Sequence, residues 1–162
     1  GESGVDKRID VIAMAIQMQA TVEDLAETEL CYAPAFGAAK DPINMAGMIA
    51  SNVRCGDLRV SHWEELTAGD YVLDVRPAEQ FADCHTAGAD NIPLTELRAR
   101  LDELPRERAV HVTCNVGQTA YFATRLLVQQ GFDARCISGG EQSHLSLARS
   151  RRSERSASCL DA

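Results

Sequence analysis

The residue with the clearest chemical promise is Cys114, in the run Thr113-Cys114-Asn115-Val116-Gly117-Gln118-Thr119. It follows Ala109-Val110-His111-Val112-Thr113, an apolar stretch that reads as a buried strand, and precedes a helix expected over 118–130. In a parallel α/β sheet, ligand sites form beyond the carboxyl ends of the strands. A short loop containing Gly117 can turn backbone N–H groups toward one point, and the helix start adds partial positive charge. That environment favours a thiolate and makes it a nucleophile. Sulfur transfer is the reaction that fits: the thiolate attacks a sulfane sulfur, the persulfide rests in the cradle of N–H donors, and a second thiol removes the outer sulfur. Two covalent steps suffice, with no metal or organic cofactor. A cysteine that merely closes a strand is the plainer alternative, and the Gly-containing loop followed by a helix weighs against it.

Other residues have simpler readings. Asp74 and Arg76 could brace the active loop or bind substrate, but a structural hydrogen-bonded pair at a strand end is the favoured reading. His85 is a candidate acid or base, with a structural role favoured. His111 and His144 lack metal-ligand spacing, and Trp63 reads as an anchor. Arg125 reads as part of a solvated helix face, and the run Arg149 to Arg152 is too short to indicate nucleic acid. No Cys-x-x-Cys or Cys-x-x-His occurs among the six cysteines, which argues against structural zinc.

These residues need a scaffold. Over 57–147, strand-like segments at Leu58-Arg59-Val60, Tyr71 to Val75, Ala109 to Thr113 and Ala134 to Ser138 alternate with helical patterns. The helical patterns begin after Ser61, run from Leu94 to Leu104, and run from Gln118 to Gln130, with Gly131 as the stop. Such alternation implies an α/β domain: a central parallel sheet flanked by helices on both faces. Upstream, residues 1–53 read as an N-terminal helical segment. Ile9, Ile12, Ala13 and Ile16 mark a first helix, Thr21 and Asp24 a capping box, and Asp41-Pro42 the start of a third helix. Three short helices are a thin basis for independent stability, so this zone is expected to pack on something else. Residues 148–162 are rich in Ser and Arg and read as a disordered tail.

Composition narrows the function classes. A formal charge of -8 argues against nucleic acid, and no apolar run is long enough to cross a bilayer. The polar start has no signal-peptide pattern, so a cytoplasmic protein with reduced thiols is expected.

The motifs also carry a family resemblance. Val72-Leu73-Asp74-Val75-Arg76, Glu79-Gln80-Phe81, His85-Thr86-Ala87-Gly88-Ala89, Asn91-Ile92-Pro93, the Cys114 to Thr119 loop, Gly131-Phe132 and Ser138-Gly139-Gly140 resemble, in order, the landmarks of the rhodanese family. The resemblance covers nearly all of 57–147. It implies a rhodanese-like fold and a sulfurtransferase with Cys114 as the persulfide site. Asn115, Val116, Gly117, Gln118 and Thr119 form its substrate-binding loop, with Asp74 and Arg76 beside it. Related phosphatases need an Arg six positions after the Cys; Ala120 stands there. The loop has no Lys or Arg, which disfavours an anionic donor such as thiosulfate. Cys84 replaces the family's usual Gly before the His. It reads as plain substitution, with a second thiol paired to Cys114 as the alternative.

Lys7-Arg8-Ile9-Asp10, Ala33-Pro34 after Tyr32, and Lys40 to Gly47 are similar to the carboxyl-terminal end of CoA-disulfide reductases, some of which carry a fused rhodanese domain. There the segment belongs to the dimerisation domain, and Tyr32 stands where a tyrosine approaches the partner subunit's substrate site. The resemblance implies a piece or truncated relative of such a fusion, able to form a homodimer through 1–53. The donor would be a small-molecule sulfane sulfur compound and the acceptor a thiol, CoA persulfide being one candidate. FAD and NAD(P)H would belong only to the intact parent, since no Gly-x-Gly-x-x-Gly run occurs here. A catalytically weak docking or regulatory module is the competing reading. Glu141-Gln142-Ser143-His144 departs from the family pattern.

Overall fold

The computed structural model describes residues 4–31, 33, 37 and 39–146, and the chain divides into two compact units, Gly1–Asp57 and Leu58–Ala162. Tyr32 and the 148–162 tail lie outside the described residues.

The first unit holds α1 (Val5–Gln17), α2 (Val22–Glu27) and α3 (Pro42–Arg54). The expected start signals operate as hydrogen bonds. Thr21 and Asp24 close a reciprocal capping box, and Asp41 accepts from the Ile43 N–H one residue after Pro42. The Lys40 to Gly47 motif has a packing explanation. Asn44 Nδ2 donates to the carbonyls of Leu25, Ala26 and Thr28 at 3.2, 3.3 and 2.8 Å, satisfying the open end of α2. Three residues on, Gly47 lets α2 and α3 cross closely, because a Cβ there would stand 2.4 Å from the Ala26 nitrogen. Arg8 bridges to Asp41 at 2.8 Å, which joins α1 to the start of α3.

The second unit is a five-stranded, wholly parallel sheet in the order β1-β5-β4-β2-β3. Its strands are β1 (Val60–Ser61), β2 (Tyr71–Asp74), β3 (Asp90–Asn91), β4 (Val110–Thr113) and β5 (Ala134–Ile137). α4 (Ala78–Asp83), α5 (Leu94–Leu97) and α6 (Gln118–Gln129) flank it. β4 is central and buried at every position, His111 and Thr113 included. Leu73, Leu97, Val110, Val112, Ala123 and Leu127 form a core with no measurable exposure. Gly131, in the left-handed region at φ +82°, follows α6 as expected.

Two expectations change, and two elements are new. The helix expected from Leu94 to Leu104 is two short turns, α5 and a 3-10 turn over Leu101–Glu103. The N–H groups of Ala99 and Arg100 bond back three residues, and Arg100 leaves helical geometry at φ -119°, ψ 24°. Leu97 and Leu104 are still buried, so the apolar spacing is met without a continuous ladder. The helix expected after Ser61 is only a 3-10 turn, Trp63–Glu65, since Ser61 belongs to β1 and its hydroxyl lies 3.0 Å from His111 Nδ1. α4 and β3 were not anticipated; both are too short to show a period.

Candidate active site

Cys114 is the first residue after β4 and is 1% exposed. The loop turns at Gly117, whose φ of +101° is a conformation that favours glycine. That turn aims the Gly117 N–H at the Cys114 sulfur, 3.1 Å away, at the start of the 12-residue α6. An N–H donor and the positive end of a helix both stabilise negative charge on sulfur. The sulfur is therefore enclosed, yet an amide points at it. Around it, Asn115, Val116, Gln118 and Thr119 are exposed and Gly117 is half-buried. Val116, at 60% exposure, is the apolar tip.

A second segment clamps the loop from outside. The N–H groups of Glu141 and Gln142 donate to the carbonyls of Cys114 and Asn115 at 2.8 and 3.0 Å. Gly140 makes this approach possible: a Cβ on it would lie 2.5 Å from the Cys114 carbonyl oxygen, and its φ is +60°. Trp63 Nε1 donates to the Gly140 carbonyl at 3.3 Å, and its ring lies 4.4 Å from that of His144. So Trp63 anchors the clamp, and His144 packs against Trp63.

Asp74 and Arg76 form a closed, buried pair. The guanidinium reaches both carboxylate oxygens at 2.6 to 3.1 Å, the Arg76 N–H also donates to Asp74, and Nη2 donates to the Cys84 carbonyl at 2.8 Å. Hydrogen bonding to Asp74 holds the Arg76 guanidinium firmly in its charged form against the opposing effect of burial. These contacts describe a brace at the carboxyl end of β2, next to the end of β4. His85 stacks on Phe81 at 3.9 Å and its Nδ1 lies 2.8 Å from the Phe81 carbonyl, which ties it to α4. His111 is buried against Ser61, and burial depresses its pKa below the ordinary imidazole value. Arg125 lies on α6.

Two residues at the site had escaped the sequence reading. Glu141 is 1% exposed, and both of its oxygens face Thr86 Oγ1, at 2.9 and 3.1 Å. Its position directly after Gly139-Gly140 was the available signal. Cys136, paired with Val112 across β4 and β5, is buried with its sulfur 3.9 Å from the Gly117 carbonyl. Burial first, and then the nearby Cys114, push its thiol up to about 11. Nothing in a strand pattern marks such a cysteine. Among the described residues no cluster of three or more His, Cys, Asp or Glu could hold a metal ion, and no helix is long and apolar enough to cross a membrane.

Comparison with known proteins agrees with this geometry. The family model for the Rhodanese-like domain matches residues 60–143. Coenzyme A disulfide reductase of Staphylococcus aureus is 55% identical over 47 residues, which is 29% of this chain and 11% of that protein. The structure of reduced Bacillus anthracis CoADR-RHD superposes with a TM-score of 0.80 at 41% identity, covering 85% of this chain and 25% of that one. An NAD-dependent persulfide reductase from A. fulgidus gives 0.77 at 36% identity, covering 88% and 26%. The chain thus spans a small part of the length of each of these relatives. With the fold, the loop and the family match in agreement, this chain belongs to the rhodanese-like family.

Proposed function

We propose that this chain is a sulfurtransferase module that carries sulfane sulfur as a persulfide on Cys114 and passes it to a thiol. The observation that carries the reading is the Gly117 N–H held 3.1 Å from the Cys114 sulfur at the start of α6. That donor stabilises the attacking thiolate, and again the thiolate released when the outer sulfur departs. Asn115, Val116, Gly117, Gln118 and Thr119 form the wall that substrate meets. Asp74 and Arg76 act on substrate indirectly, by holding the end of β2 and the Cys84 carbonyl.

The absence of Lys and Arg from residues 115–119 favours a thiol-borne donor over thiosulfate. The similarity of most of the chain to the Bacillus anthracis and A. fulgidus proteins supports a place in a CoA-disulfide or CoA-persulfide reductase fusion. In this reading the parent is cytoplasmic and homodimeric through residues 1–53. FAD and NAD(P)H belong to that parent. This chain has no dinucleotide fingerprint, so none of the steps proposed here runs through them.

A sulfide-release assay with a persulfide donor and dithiothreitol tests the reading. Turnover should vanish in Cys114→Ser and survive in Cys136→Ala. Equal turnover in wild type and Cys114→Ser would refute it.

A further inference from the structure

The sulfur chemistry leaves one buried acid beside the Cys114 loop without a role. Glu141 is buried, and a buried carboxylate is costly unless hydrogen bonds and opposite charge offset it. Three segments meet at this residue. Thr86, between α4 and β3, donates its hydroxyl to the carboxylate, with Oγ1 at 2.9 and 3.1 Å from the two oxygens. The Arg76 guanidinium, just past β2, lies within electrostatic reach of the same group. The backbone of Glu141 follows β5, and its N–H donates to the Cys114 carbonyl at 2.8 Å. That bond fixes the rotation between the Cys114 Cα and its carbonyl. The same rotation sets where the Asn115 to Gly117 turn lies relative to the Cys114 sulfur, and so how the Gly117 N–H meets it at 3.1 Å. The donor itself needs an anchor. It follows two glycines in the left-handed region, Gly139 at φ +79° and Gly140 at φ +60°, where the backbone has wide freedom. Trp63 holds the Gly140 carbonyl, and the Glu141 side chain, caught by Thr86, is the second anchor.

We propose that Glu141 is a positioning residue for sulfur transfer: held by Thr86, its side chain sets the N–H that fixes the Cys114 carbonyl, and thereby the alignment of the Gly117 N–H on the Cys114 sulfur. This rests on the persulfide reading of Cys114. Glu141 touches neither donor nor acceptor in this role. It acts where charge on the sulfur is greatest, as the thiolate attacks and as it is released. Its loss therefore lowers kcat and leaves donor KM nearly unchanged. The acceptor oxygen matters in this role, and an amide oxygen can replace it.

The test is steady-state sulfide release by the full chain, with glutathione persulfide as donor and dithiothreitol as acceptor. The rate is taken above that of Cys114→Ser, at a temperature where circular dichroism shows each variant folded. Glu141→Ala and Thr86→Val cut the contact from opposite ends, so either one serves if the other fails to fold. Each should lower kcat about tenfold with donor KM within about twofold of wild type. The double variant should fall no further than the single ones, because both remove one interaction. Glu141→Gln and Thr86→Ser keep an oxygen for the contact and should recover kcat to within about threefold of wild type. Wild-type kcat in Glu141→Ala or Thr86→Val, multiplied losses in the double variant, or a Glu141→Gln as slow as Glu141→Ala overturns the positioning role and leaves Cys114 as the sulfur carrier. A wild-type chain no faster than Cys114→Ser overturns both.

Discussion

The two units use apolar residues in opposite ways. In Leu58–Ala162 the apolar strands and one face of α6 close on each other, leaving Leu73, Leu97, Val110, Val112 and Leu127 without exposure. In Gly1–Asp57 the helices are as amphipathic, but only Ile43 and Gly47 are buried. Ile9, Met14, Ile16, Met18, Met45, Met48 and Ile49 are exposed, Ile16 at 72%. An apolar stripe is a statement about burial somewhere, and it need not be burial within the same unit. The second unit contains its own partner surfaces. The first leaves much of its apolar stripe exposed.

The strongest way to break that contrast is to separate the units. Residues 58–146 expressed alone should unfold in one cooperative urea transition, while residues 4–57 alone should show no such transition. A cooperative transition from the isolated helices would erase the distinction. The next largest effect is on core truncation. Leu127→Ala should destabilise the second unit by about 2–5 kcal/mol, whereas exposed Ile16→Ala should stay within about 0.5 kcal/mol by denaturant titration.

Glycine closures sharpen the comparison, since each unit has one. Gly140→Ala drives a Cβ into the Cys114 and Asn115 carbonyls and should cost about 1–3 kcal/mol, with loss of Cys114 sulfur loading. Gly47→Ala drives one into the α2 backbone; it should cost a similar amount and leave Cys114 loading intact.

The smallest effect is in pH dependence. All four histidines lie in the second unit, and burial holds the folded-state pKa of His111 below its unfolded value. Its contribution to stability is therefore complete above pH ~6.5 and declines as the pH falls through that value toward the folded pKa. In the first unit, Arg8 lowers the pKa of Asp41 and Arg54 lowers that of Glu23, so their contributions persist until the pH falls to ~4 and below. Acid titration of the His111→Gln variant should remove the decline below pH ~6.5; an unchanged curve would assign it elsewhere.

What could be read from the sequence follows the reach of each signal. Capping at Thr21 and Asp41, the turn at Gly131 and the buried run of β4 are local, and each has its expected geometry. Cys114 at the strand end and the Gly117 turn were legible for the same reason. The Glu141–Thr86 contact spans 55 residues, and the Cys136 approach to Gly117 depends on strand order, so neither leaves a local trace. The enclosure of the Cys114 sulfur was likewise beyond reach. The segment at Gly140 and Glu141 that holds the loop's carbonyls is distant in the chain. The Leu94 to Leu104 spacing misled because packing four leucines on the core, Leu97 and Leu104 buried and Leu94 and Leu101 partly so, does not require a continuous helix.

The account rests on one sulfur atom that an amide holds ready for covalent chemistry. Its most direct test is the mass of the Cys114 peptide after brief exposure to a limiting persulfide donor, followed by alkylation. The expected result is one added sulfur atom on that peptide, removed by dithiothreitol and absent from Cys114→Ser. A Cys114 peptide of unaltered mass, in folded protein and at donor levels that load an ordinary rhodanese, would contradict it.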